Sequence, residues 1–118
     1  MGNGFRELRV WQDAKAIAVE VYQLVRKSPL LDKDWGLKDQ MQRAAVSIAS
    51  NIAEGDARKS DKDSVRFFHI ASGSLAELIT QLEIAKDLEL ACCSELQTLI
   101  DRLELLSKSI GALAKSRK

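Results

Sequence analysis

A chain of 118 residues with 18 Lys and Arg, 17 Asp and Glu and one His carries a net charge of +1, too small a field to make nucleic acid or an acidic membrane its default partner. One proline, six glycines, 5% aromatics and an abundance of Leu, Ala, Ile, Glu and Lys exclude a sheet-rich architecture in favour of an all-α one. The length suits a single domain over residues 1–118 that buries roughly two thirds of its unfolded surface in one core.

The opening MGNGFRELRVW lacks the apolar centre of a signal peptide, and no run approaches the roughly 18 uncharged residues that span a bilayer. A cytoplasmic location with no membrane partner is therefore expected. The first helix is predicted from about Arg6 to Lys27, where Leu8, Trp11, Ala14, Ala18, Val21 and Val25 form an apolar stripe. Ser28-Pro29 ends it, because the residue before proline is pushed out of the α region. Leu30 to Trp35 reads as a connector, with Asp32 and Asp34 available to cap a second helix over about Gly36–Ala57.

That second helix is the most unusual segment. Between Gln40 and Ala53 its only charge is Arg43, and Leu37, Met41, Ala44, Ala45, Ile48 and Ile52 share one face that Val46, Ala49 and Ala53 widen beyond half the circumference. The remaining arc carries a polar line, Gln40, Arg43, Ser47, Asn51 and Glu54, at helical spacing. Gly55 and the polar run to Asp63 mark the next break. Ser60, with Asp63 three residues on, resembles a capping box and starts a third helix over about Asp61–Leu88, whose core face is Phe68, Ala71, Leu75, Leu78, Ile79, Leu82 and Ala85 and whose opposite face holds the small residues Gly73, Ala76 and Thr80. After a junction at Leu90–Cys93, Ser94 can cap a fourth helix with a narrow stripe from Leu96 to Leu113. Short connections between four helices of similar length favour an antiparallel up-down-up-down four-helix bundle. A monomeric bundle has no use for the second faces of its second and third helices, so self-association is expected.

Chemistry-bearing constellations are scarce. His69 is the lone histidine, which excludes the paired Glu-x-x-His ligands of a di-iron bundle. The adjacent Cys92 and Cys93 have no metal-site spacing and read as free thiols. No glycine pattern follows a strand to cradle phosphate. No catalytic residue, cofactor or metal is expected, and the chain reads as a non-enzyme. The polar line has two readings. One is a hydrogen-bonded network or oligomer interface in which Arg43 meets a carboxylate such as Glu77, or Glu54 of a neighbouring copy; the other is a binding surface. The candidate nucleic-acid contacts are Arg58, Lys59, Lys62 and Arg66, interleaved with Asp56, Asp61 and Asp63, and they gain weight if Arg6, Arg9, Lys115, Arg117 and Lys118 converge on them in space.

The segments FRELRVWQDA, GLKDQMQRAAVSIASNIAEG and SVRFFHIASGSLAEL resemble the four-helix bundle family named for proteins encoded in intervening sequences of bacterial 23S ribosomal RNA, over nearly all of the chain up to about Leu90. The resemblance implies an up-down bundle assembling as a ring-like homopentamer with no established catalytic residue. That family is similar in turn to accessory proteins of diversity-generating retroelements, pentameric barrels that bind a reverse transcriptase and nucleic acid through a basic surface. Together these imply a non-enzymatic oligomer associated with RNA or a ribonucleoprotein, the alternative being a protein-binding scaffold without nucleic-acid contact.

Overall fold

The computed structural model describes residues 4–117. A 3-10 turn, Gly4–Glu7, precedes α1 (Arg9–Lys27), so the first helix begins later than its periodicity predicts. Side-chain packing is the reason. The Phe5 ring meets Trp11 edge-on with centroids 5.1 Å apart, and the Gln12 amide donates to the Arg6 carbonyl at 2.8 Å, folding the chain back over the first turn of α1. At the other end the Ser28 hydroxyl donates to the Leu24 carbonyl at 2.6 Å. Pro29 then opens a four-residue helix, α2 (Pro29–Asp32), where a connector was expected. Its fixed φ suits a first helical position, and the turn drives Leu31, which is wholly buried, into the core.

Asp34 caps α3 (Trp35–Ala57), its carboxylate accepting from the Leu37 N–H at 3.1 Å. Ser60 caps α4 (Asp61–Asp87) in the same way, accepting from the Asp63 N–H at 3.2 Å. Both caps match the sequence reading. Beyond α4 the chain turns through Glu89 at φ 55, and the Leu90 N–H reaches back to the Ala85 carbonyl at 2.9 Å, a left-handed helix ending usually assigned to glycine. This sharp reversal leaves only Leu90–Cys92 before α5 (Cys93–Ser116). Cys92 is the N-cap residue, without a side-chain cap bond, and Ser94 falls inside the first turn instead of capping it.

α3 packs on α1 and α4, α5 packs on α1 and α4, and the diagonal pairs scarcely touch. This cyclic order with short connections is the up-down-up-down bundle. The 44 Å long axis matches the 27 residues of α4 at about 1.5 Å per residue. The core runs the whole length through Ile17, Val21, Leu31, Ile48, Phe68, Leu82, Leu103 and Ile110, all at most 2% exposed. No helix among the described residues is long and apolar enough to cross a membrane.

Two glycines behave in opposite ways. Gly55 does not break α3; it is buried, and a Cβ there would stand 2.5 Å from Cε1 of Phe68, so the Phe68 ring of α4 packs directly on the α3 backbone. Its carbonyl also accepts the Ser64 hydroxyl at 2.6 Å. Gly73 sits in mid-α4, exposed, with nothing within 4 Å of an added Cβ. A glycine inside a helix costs about 1 kcal/mol relative to alanine, and nothing within this chain requires one at that position.

Candidate nucleic-acid interface

The topology brings the start of α1, the α3–α4 turn and the end of α5 to one end of the bundle. Arg117 fastens that end, its guanidinium donating to the Asp56 carboxylate at 2.7 Å and lying over the Phe68 ring at 5.6 Å. Arg58, Lys59, Lys62 and Arg66 are all exposed there, with Arg6, Arg9 and Lys115 on neighbouring elements. Lys118 lies outside the described residues.

Arg58 donates to Glu54 at 2.8 Å, one helical turn earlier. Its guanidinium and that of Arg66 also lie over the half-buried Phe67 ring, 4.5 and 4.7 Å from the centroid. Arg66, held over the ring, forms no ion pair with a described residue, so its N–H groups remain available to an oxyanion. Lys59 and Lys62 are exposed and form no ion pair with a described residue. The exposed Glu54–Arg58 pair is worth about 0–1 kcal/mol, so a phosphate can displace it. Phe67 was absent from the sequence reading; the signal was an aromatic between Arg66 and the core residue Phe68, one position off the apolar stripe.

The polar line of α3 divides in two. Ser47 and Ser74 share a hydrogen bond of 2.8 Å across the α3–α4 contact, and the Asn51 amide donates to the Ser47 carbonyl and hydroxyl at 2.8 and 3.0 Å. Glu54 is held by Arg58. Gln40, Arg43 and, on α4, Glu77 are exposed, and Arg43 and Glu77 do not pair within the chain. About level with Gln40, Gln81 of α4 is buried with its Oε1 unbonded to any described group.

A second surface was not anticipated. Trp11, Val19 and Tyr22 of α1 and Val46, Ala49 and Ala53 of α3 line an open groove of about 530 Å³. The sequence signal was the excess of apolar residues on both helices beyond their core stripes.

Catalytic chemistry has little to work with. His69 is exposed, and among the described residues no group of three or more His, Cys, Asp or Glu side chains could hold a metal ion. Cys92 and Cys93 are free and exposed. The Ser94 hydroxyl, 3.2 Å from Cys92 Sγ, and the N–H groups opening α5 hold the Cys92 thiol below its ordinary pKa. On the same end Lys27 bonds Glu95 and holds that carboxyl below the usual range.

The family model described as 23S rRNA-intervening sequence protein matches residues 6–112. Among solved structures, a protein of unknown function from the S23 ribosomal protein family of Bacteroides thetaiotaomicron VPI-5482 is similar with a TM-score of 0.83 and 21% identity, over 90% of this chain and 98% of that one. At that identity the likeness establishes the fold. No curated protein matches this chain.

Proposed function

This chain belongs to the 23S rRNA-intervening sequence protein family, and on that premise we propose that it is a non-catalytic, self-associating helical bundle whose basic end contacts the phosphate backbone of RNA. The observation that carries this reading is the gathering of Arg58, Lys59, Lys62 and Arg66 at the end where Arg117 and the first turn of α1 also lie. Net charge is a poor guide to such a surface, because its cations stand among Glu54, Asp56, Asp61 and Asp63 and are further offset by carboxylates at the far end of the bundle, among them Asp87 and Glu89. Phosphate contacts position a protein on RNA without reading sequence, and Phe67, clasped by two guanidinium groups, leaves little open ring for base stacking. The expected binding is electrostatic and sequence-tolerant.

Self-association rests on the exposed apolar groove between α1 and α3, and the family resemblance implies five copies. A ring repeats each basic end, so weak single contacts combine on one RNA. Lys59, Lys62 and Arg66 acting on single-stranded RNA imply a salt slope of about −2, so affinity per copy falls roughly twenty-fold between 50 and 200 mM salt. Filter binding of two unrelated RNAs over that range, with the parent and a Lys59→Ala/Lys62→Ala/Arg66→Ala variant, tests the reading. Equal weakening on both RNAs and a shallower slope are expected. If the parent ignores RNA at low salt, or the variant binds as well, the RNA reading fails and a protein scaffold, favoured by the same apolar groove, replaces it.

A further inference from the structure

On the side of the bundle opposite the α1/α3 groove lies the seam between α4 and α5, as the cyclic packing order requires. Lys62, Arg66, His69 and Gly73 are all exposed, and their helical spacing places them along one line of α4, away from the buried stripe of Ala71, Leu75 and Leu78. From Lys62 to His69 the helix rises about 10.5 Å. Gln97, Glu104, Lys108, Gly111 and Lys115 make the matching edge of α5, which the 2.6 Å bond from Lys86 to Gln97 turns toward α4. The same bond sets the register of the two antiparallel helices. His69 is level with Lys115, and Gly73 with Gly111, to within about one helical turn.

We propose that the α4/α5 seam carries an RNA backbone away from the basic end of the bundle, with His69 as a phosphate contact that engages when its imidazole is protonated. The proposal rests on the RNA reading put forward above and adds to it the path of the strand and a dependence of its affinity on pH.

Charge selects the occupant. Lys62, Arg66, His69, Lys108 and Lys115 form no ion pair with a described residue. The carboxylates of α3 at this height are already engaged, Glu54 by Arg58 and Asp56 by Arg117. On α5 the groups beside His69 are Lys115 and Arg117, and on its own helix Arg66 and Lys62; Asp61 and Asp63 flank Lys62 at the head of α4, and Glu77 and Glu104 close the seam beyond Gly73. At Gly73 and Gly111 an added Cβ would meet nothing within 4 Å, so a sugar-phosphate chain can run close to both helices between the flanking cations. This gives the exposed mid-helix glycine of α4 a purpose that its own chain does not supply. Imidazole is the side chain that ordinarily changes charge between pH 5 and 8. A proton gained at His69 stands among cations, and a bound phosphate relieves their repulsion, so protonation and RNA binding favour each other. One more phosphate contact on single-stranded RNA adds about 0.7 to the log–log salt slope, which between 1 M and 50 mM salt amounts to about eight-fold in affinity per copy.

Filter binding of a single-stranded RNA of mixed sequence at 50 mM salt, at pH 5.5 and pH 7.5, tests both parts. The parent is expected to bind several-fold more tightly at pH 5.5, with a steeper salt slope. His69→Gln should remove most of that gain, and His69→Arg should bind at pH 7.5 as the parent does at pH 5.5, with little further change on acidification. Lys108→Glu, at an exposed position on the far stretch of the seam, should weaken binding at both pH values; far-ultraviolet circular dichroism checks that all three variants fold. A parent that binds RNA equally at the two pH values, or a His69→Gln variant that keeps the whole gain, overturns the role of His69. A Lys108→Glu variant that binds like the parent overturns the path along the seam. A parent that ignores RNA at both pH values overturns the RNA reading itself.

Discussion

Replacing Gly55 by alanine tests the contact between the α3 backbone and the Phe68 ring of α4. The added Cβ would lie 2.5, 2.8 and 3.1 Å from Cε1, Cδ1 and Cζ of Phe68, whereas real contacts begin beyond about 3.4 Å. Phe68 is completely buried, so its ring must shift against its core neighbours or α3 and α4 must separate locally. Overpacking of this kind costs about 1–3 kcal/mol, and the 2.5 Å contact with a buried ring puts this case at the upper end. Alanine recovers about 1 kcal/mol of helix propensity, which leaves a net loss of about 2 kcal/mol. For a domain of this size that is a fall of about 8 °C in Tm. Gly111→Ala is the control, since Gly111 is also helical but its added Cβ meets nothing within 4 Å; it should gain up to about 1 kcal/mol. Urea denaturation of parent and both variants measures the difference. If Gly55→Ala proves as stable as Gly111→Ala, the close α3–α4 contact is not what the glycine is for.

Ser47→Ala and Ser74→Ala should each cost about 1 kcal/mol by stranding the other hydroxyl, while the double variant should cost less than their sum by about 0.5–1.5 kcal/mol; additive losses in a double-mutant cycle would show that the 2.8 Å bond contributes nothing. Glu95 is held below its ordinary pKa by its bond to Lys27, so its contribution to stability is present above the unfolded-state value and disappears as pH falls through the depressed folded-state value. Carboxyl titration by NMR should place Glu95 below the ordinary value of a free glutamate, and Lys27→Ala should raise it toward that value; an unmoved titration refutes the pairing.

Periodicity located most of the core: the stripes from Phe68 to Ala85 on α4 and from Leu96 to Leu113 on α5 are buried except for the half-buried Ile79 and Leu113, and on α1 Leu8 and Trp11 stay half-buried at the edge of the core. Junctions were harder, because they depend on contacts distant in sequence. Leu31 makes helix out of a connector by reaching the core, Phe5 and Trp11 shorten α1, and the left-handed Glu89 moves the start of α5 ahead of Ser94. Gly55 resembled a breaker because its sequence neighbours do not reveal that Phe68 will lie against it. The basic residues of the α3–α4 turn were legible as charges, but their company was not, since Asp56 and Arg117 are 61 positions apart. The α1/α3 groove could not be seen from either helix alone, since it exists only where the two cross.

The heaviest packing in the molecule joins α3 and α4, and only Arg58–Ser60 separate them. Loop closure over so short a connection loses little entropy, and contacts near in sequence form early. The α3–α4 hairpin is therefore the natural nucleus, onto which α5 and then α1, with its sparser contact to α5, can condense. Kinetics should divide along the same line, with changes at the Gly55–Phe68 contact slowing folding and changes on α1 chiefly hastening unfolding.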